Sequence, residues 1–358
     1  MYAAIINGPG QIEYAEVPDP RLSTGGDAIV RVVASCVCGS DLWRYRGVLA
    51  TAPGDRIGHE FIGVVEEIGP SVTDVRVGDF VVAPFYDCDM TCPNCLTGMS
   101  VACLTRSLWA SNDSIGGFAD GAQGELVRVP RADSTLLVLP EAPDEALVPH
   151  VLALCDVFTT GYHAARSAQV AAGDNVVVIG DGAVGLCAVL AASRSGAERI
   201  VVMSRHPDRQ QIARTFGATD VLTARGAEAV TEVRDMFEGI GPDRVLECVG
   251  TNDAWDQAIR SVRPGGAVAV VGVPHGGPEL PARYMFSNNI RLSGGSTPVR
   301  DYLPELLGEV IEGNLRPGVV FDAQMPLSQV GEAYRAMDER RSIKVMLRPG
   351  AQPGAVNP

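Results

Sequence analysis

The stretch Val176-Val-Val-Ile-Gly180-Asp181-Gly182-Ala183-Val184-Gly185 decides the fold. Its β-branched run reads as a strand buried on both faces. The glycines that follow, spaced Gly-x-Gly-x-x-Gly, open a helix directly after that strand. Each answers a physical need, for a tight turn at Gly180, close approach of a pyrophosphate at Gly182, and close helix packing at Gly185. Ala183 and Val184 begin the helix, whose N-terminal N–H groups face the phosphates. Three spaced glycines alone carry little weight. A strand before them and a helix after them supply the context of a dinucleotide-binding unit.

The same rhythm continues outward. Asn175 to Ile179 reads as a strand, followed by an Ala-rich helix to Ser195 and a strand from Arg199 to Met203. Asp243 to Glu247 and Ala267 to Val271 extend the series. Strand and helix alternating in this way predict an α/β fold with a doubly wound parallel sheet and crossover helices. At the end of the second strand an NAD-binding chain presents a carboxylate to the ribose hydroxyls. Here the residues are Val202-Met203-Ser204-Arg205-His206. Ser204 can donate to a 2′-phosphate and Arg205 can pair with its charge, so NADP(H) is expected over NAD(H). Arg209, one helical turn on, either joins that pocket or is a solvated helix-face arginine.

Upstream, Asp27 to Ala34, Gly63 to Ile68 and Asp79 to Ala83 are short β-branched runs punctuated by Gly, Pro and Asp, which predicts an irregular β-rich domain. Beyond Leu292 the character is mixed again, with a helix expected over Tyr302 to Glu312 and a closing strand over Ile343 to Leu347. A chain of 358 residues is long enough for two cores. Its net charge of −14 repels phosphate backbones and anionic membrane surfaces, which leaves a small molecule as the expected ligand. No apolar run approaches the roughly 20 residues that span a bilayer, and no signal-peptide core opens the chain. A soluble, cytoplasmic protein is expected. Its nine cysteines, an odd number, suit a reducing compartment where thiols stay free for metal.

Cys92-Pro93-Asn94-Cys95, with Cys103 after seven intervening residues, clusters thiols in one short loop. Cys38 and Gly58-His59-Glu60 lie apart from it. One closed and one open zinc site account for that arrangement.

Taken in order, Cys38-Gly39-Ser40-Asp41, Gly58-His59-Glu60-x-x-Gly63-x5-Gly69-x-x-Val72, Val77-Gly78-Asp79, the cysteine loop, Thr160-Gly161-Tyr162-His163 and the glycine motif resemble the zinc-dependent medium-chain alcohol dehydrogenases. The resemblance covers nearly the whole chain. It implies a Rossmann domain over 158–292 inserted into a GroES-like catalytic domain built from 1–157 and 293–358. It implies a catalytic zinc on Cys38, His59 and a residue just before Thr160. Cys155 and Asp156 are both available there; the spacing favours Asp156 and leaves Cys155 a buried thiol. Glu60 is expected beside the metal, as charge or as a transient ligand, and Asp41 to orient His59. In the structural zinc loop Cys92, Cys95 and Cys103 match three positions, while the fourth falls on Asp89, the alternatives being Cys88 and a loop that holds its metal weakly or not at all.

The implied reaction moves hydride between NADP(H) and an alcohol, aldehyde or ketone. Ser40 is expected to start the proton relay, Thr160 to lie against the nicotinamide, and Lys344 to contact the pyrophosphate. Relatives often carry a histidine where this chain has Trp43, and an indole cannot pass a proton on. Trp43, Phe85 and Trp109 are expected to wall the substrate pocket, Phe85 being equally open to plain core packing. His150, His163, His206 and His275, like Cys36, Cys187 and Cys248, read as structural. The resemblance further implies a homodimer or homotetramer. The alternatives are an NAD-dependent polyol, sugar or formaldehyde dehydrogenase of the same superfamily and a non-catalytic nucleotide-binding protein.

Overall fold

Short β-branched runs and glycine turns fold as strands in the computed structural model, which describes residues 1–110, 120–274, 276–277 and 279–350. His275 lies outside the described residues. The first strands are β1 (Tyr2–Gly8), β2 (Gln11–Glu16), β3 (Ala28–Cys36), β4 (Asp55–Arg56), β5 (Phe61–Ile68), β6 (Phe80–Val82), β7 (Leu126–Val129) and β8 (Leu137–Val138). The middle of the chain adds β9 (Asn175–Ile179), β10 (Arg199–Met203), β11 (Asp220–Leu222), β12 (Arg244–Glu247), β13 (Ala267–Val270) and β14 (Arg291–Gly294). Two more follow, β15 (Ala323–Pro326) and β16 (Val345–Arg348).

The chain divides into two units, 1–156 with 298–358, and 157–297. In the first, β2-β1-β4 form a small sheet, and β15-β16-β3-β5-β6-β8 form a larger one with β7 also paired to β3. The C-terminal strand β16 runs antiparallel to β3, with Met346 opposite Cys36. One core packs Phe61, Val65, Val81, Trp109 and Val127, and another packs Leu42, Ile57, Tyr334 and Leu347.

The second unit is a sheet ordered β11-β10-β9-β12-β13-β14. All its pairings are parallel, and Val177 of β9 lies opposite Val201 of β10 and Val245 of β12. This is the doubly wound order in which ligands bind where the order reverses, here between β9 and β12. Gly180 sits at that point with φ +118°, and an added Cβ would lie 3.0 Å from Val249. At Gly185 a Cβ would come within 2.1 Å of the Gly180 carbonyl oxygen. Gly180 is therefore required by its left-handed backbone and Gly185 by close approach.

Candidate active site

Cys38 follows the end of β3, His59 and Glu60 lead into β5, and Asp156 follows the short 3₁₀ turn Ala153–Cys155. Each of these four residues offers one ligand atom to a common point, all within 4.8 Å of one another. His59 Nε2 lies 3.3 Å from Asp156 Oδ2 and 3.8 Å from Glu60 Oε1. The Cys38 sulfur is 3.7 Å from Asp156 Oδ2. On the other side of the imidazole, Asp41 Oδ1 is 3.1 Å from Nδ1, which turns the Nε2 lone pair toward the cluster. Cys155 points elsewhere, with its sulfur 3.2 Å from the Phe61 carbonyl oxygen.

The electrostatics of this cluster call for a cation. Burial alone would lower the His59 pKa, but Asp41, Cys38 and Asp156 together hold it well above the ordinary histidine value. Burial likewise pushes the Cys38 thiol up. Glu60 is fully buried, and its Oε2 has no hydrogen-bond partner among the described residues. Sulfur, imidazole and carboxylate with an unsatisfied acceptor beside them form a donor set that fits zinc. Lys344, expected at the cofactor pyrophosphate, is 1% exposed, with its ammonium 2.7 Å from Glu60 Oε1 and 3.3 Å from the Val37 carbonyl. Burial opposes its charge, yet Cys36, Glu60 and Cys38 outweigh that and keep it protonated. A buried carboxylate needs such a counter-charge.

A second gathering holds Asp89, Cys92, Cys95 and Cys103, again with ligand atoms within 4.8 Å of one another. Asp89 Oδ1 accepts the Thr91 and Cys92 amides at 2.8 Å each, and Oδ2 accepts the Thr105 hydroxyl at 3.0 Å. These donors outweigh burial and keep the carboxyl ionised well below its usual range. Cys88 is not in the cluster. Its thiol faces the Ser134 carbonyl, and burial pushes it up to about 12.

At the dinucleotide loop the Ser204 hydroxyl, itself buried, donates to Asp181 Oδ2 at 2.7 Å. Arg209 pairs with Asp181 Oδ1 at 3.3 Å. Arg205 donates to the Thr223 carbonyl, and Arg225 to those of Ala224 and Met203. Asp181 and Arg225 were invisible as site residues in sequence. The first occupies an unspecified place in the glycine motif. The second follows β11, and only the parallel register of Met203 with Leu222 brings the two strand ends together. Thr160 is buried and accepts the Thr297 hydroxyl at 3.2 Å.

Ser40 places its hydroxyl 3.5 Å from His59 Nε2. Trp43 is half-buried, with Arg46 over its ring, and Phe85 is half-buried edge-on to Tyr86. Trp109 lies within the core, edge-on to Phe61, its indole N–H donating to the Pro84 carbonyl at 2.7 Å. No helix among the described residues is long and apolar enough to cross a membrane.

Residues 24–141 match the family model of the alcohol dehydrogenase GroES-like domain, and 183–312 that of the zinc-binding dehydrogenases. The zinc-type alcohol dehydrogenase B of Aspergillus flavus is 32% identical over 98% of this chain and 82% of its own length. An NADP-dependent isopropanol dehydrogenase of Clostridium beijerinckii is 33% identical over 71% of each chain. The solved alcohol dehydrogenase from Thermus sp. ATN1 superposes with a TM-score of 0.89 at 33% identity, covering 98% of this chain and 100% of that one. With both family models matched in order and relatives aligned over nearly its full length, the chain belongs to the zinc-dependent medium-chain alcohol dehydrogenases.

Proposed function

We propose that this alcohol dehydrogenase works with NADP(H) in preference to NAD(H), interconverting an alcohol and its aldehyde or ketone. The observation that carries the catalytic reading is the convergence of Cys38, His59 and Asp156 beside the unpartnered Glu60 oxygen. Zinc held there supplies a Lewis acid for the substrate oxygen, and the bound nicotinamide supplies the hydride donor or acceptor. Ionised Cys38 and Asp156 carry two negative charges, matching a divalent ion, while Lys344 balances Glu60. Asp41 holds the His59 proton on Nδ1. Ser40, within reach of the His59 Nε2 face, accepts the proton an alcohol releases. Trp43 cannot carry that proton onward, because an indole has no acceptor for it.

Asp89, Cys92, Cys95 and Cys103 are assigned to a second, structural zinc. Ser204, Arg205 and Arg209 support NADP(H), as does the cofactor named for the Clostridium relative. One observation favours the NAD reading instead: Asp181 already occupies the Ser204 hydroxyl and Arg209. Zinc per chain, with turnover measured on both reduced cofactors over a panel of carbonyl compounds, tests the proposal. Two zinc ions with faster NADPH turnover is the expected result, and faster NADH turnover overturns the cofactor assignment. Assembly as a homodimer or homotetramer is checked by light scattering.

A further inference from the structure

A buried polar chain runs outward from His59 beyond the carboxylate that orients it. Asp41 uses one oxygen for His59 Nδ1. The other accepts the Cys38 amide at 3.0 Å and the Gln123 side-chain amide at 3.2 Å. Gln123 Nε2 also donates to the Cys36 carbonyl at 2.9 Å, and its Oε1 accepts the Tyr334 hydroxyl at 2.9 Å. Gln123 and Tyr334 are both fully buried. Every polar hydrogen of the glutamine amide is used. Reversing the amide would set an oxygen against the Cys36 carbonyl and the Asp41 carboxylate, so its orientation is fixed.

The backbone around this amide is shaped to hold it. Gln123 N–H donates to the Ile57 carbonyl at 3.1 Å, and its own carbonyl accepts the Ala4 amide at 2.7 Å. Gly58, next to His59, has φ +95°, and an added Cβ would lie 2.4 Å from Gln123 Cγ. The missing side chain at 58 is thus the space that Gln123 fills. Tyr334 comes from the helix Val330–Asp338, seated in the core with Leu42 and Val345. A C-terminal helix therefore reaches the ligand His59 through three side chains.

We propose that Gln123 and Tyr334 are positioning residues for His59: they fix the Asp41 carboxylate, and through it the aim and basicity of the imidazole toward the catalytic metal. The proposal rests on the assignment of zinc to Cys38, His59 and Asp156. Without the Gln123 N–H, Asp41 has a buried oxygen short of a donor and is free to turn from His59. Partners of this kind are worth about 10–100-fold in metal affinity when they touch the ligand directly. One step removed, up to about tenfold is expected.

The experiment compares wild type, Gln123→Leu and Tyr334→Phe as holoenzymes. It follows zinc release into a chelator and, after cobalt substitution, the visible absorption of the metal. Gln123→Leu is expected to release the catalytic ion up to about tenfold faster and to shift the cobalt bands, with release from the cysteine cluster unchanged. Tyr334→Phe moves both readouts in the same direction by less. Wild-type spectra and release rates in both variants overturn the proposal. Where Gln123→Leu does not fold, Tyr334→Phe, which deletes one oxygen and leaves the ring, decides alone. Unchanged zinc content in Asp156→Ala would instead overturn the underlying metal assignment.

Discussion

Aspartate stands in both candidate metal clusters, as Asp156 and Asp89, and in each case a neighbouring cysteine is turned away. Asp156→Ala is expected to lose the catalytic zinc with the fold intact and to cut kcat by about 10²-fold or more. Metal analysis and circular dichroism on the same sample check this. Asp89→Ala is expected to lose the other ion and leave the first. At the nucleotide loop, Asp181→Ala frees Ser204 and Arg209, and the ratio of kcat/KM for NADPH over NADH should rise roughly tenfold, the scale of one charge-assisted hydrogen bond. Ser204→Asp with Arg205→Ile should move the ratio the other way. That Cys38, His59 and Asp156 come together was legible because each sits in a motif with fixed neighbours. Gln123, Tyr334 and Asp181 were not. Gln123 and Tyr334 meet across 211 positions, and no local pattern encodes such a contact.

Elements made of β-branched runs were legible, as β9 and β10 coincide with the expected strands to the residue and β3, β5, β6, β12 and β13 lie within two residues of theirs. Burial on both faces leaves such runs no other use. The helix Val157–Ser167 was missed for the opposite reason. Nine of its eleven residues are buried, Thr159, Thr160 and His163 among them, so its polar positions do not mark a solvent-facing stripe. The β1–β2 hairpin also escaped notice, since its short strands are only partly buried. The helix Val299–Ile311 starts three residues earlier than expected and tolerates Pro304, and the closing strand runs from Val345 to Arg348. Within the helix Val157–Ser167, Gly161 packs on the helix Ala183–Arg194, where an added Cβ would lie 2.5 Å from the Ala188 amide nitrogen. Gly161→Ala should therefore destabilise by about 1–3 kcal/mol despite its better helix propensity. Denaturant unfolding of the variant measures this.

For the whole molecule, acid sensitivity follows from carboxylates that the fold holds ionised. Asp27 is fully buried, and donors from Thr24, Ser23 and Arg128 outweigh that burial to hold its pKa below the ordinary value. A lowered carboxyl contributes stability that is present above the unfolded value of about 3.9 and is lost as pH falls through the folded one. Asp243 and Asp133 act in the same sense. The melting temperature should fall below about pH 4, and Asp27→Asn should flatten that fall while lowering stability near neutrality. The pairing of β16 with β3 has a consequence in time. Glu60 leaves the ribosome 284 positions ahead of the lysine that neutralises it. At about 5–20 residues per second that is a wait of roughly 15–60 s. The contiguous middle unit can fold during the delay, while the N-terminal strands stay unsealed with an uncompensated charge. Only the Ser35–Cys36 end of β3 waits for β16, since β5 and β7 pair with the rest of the strand.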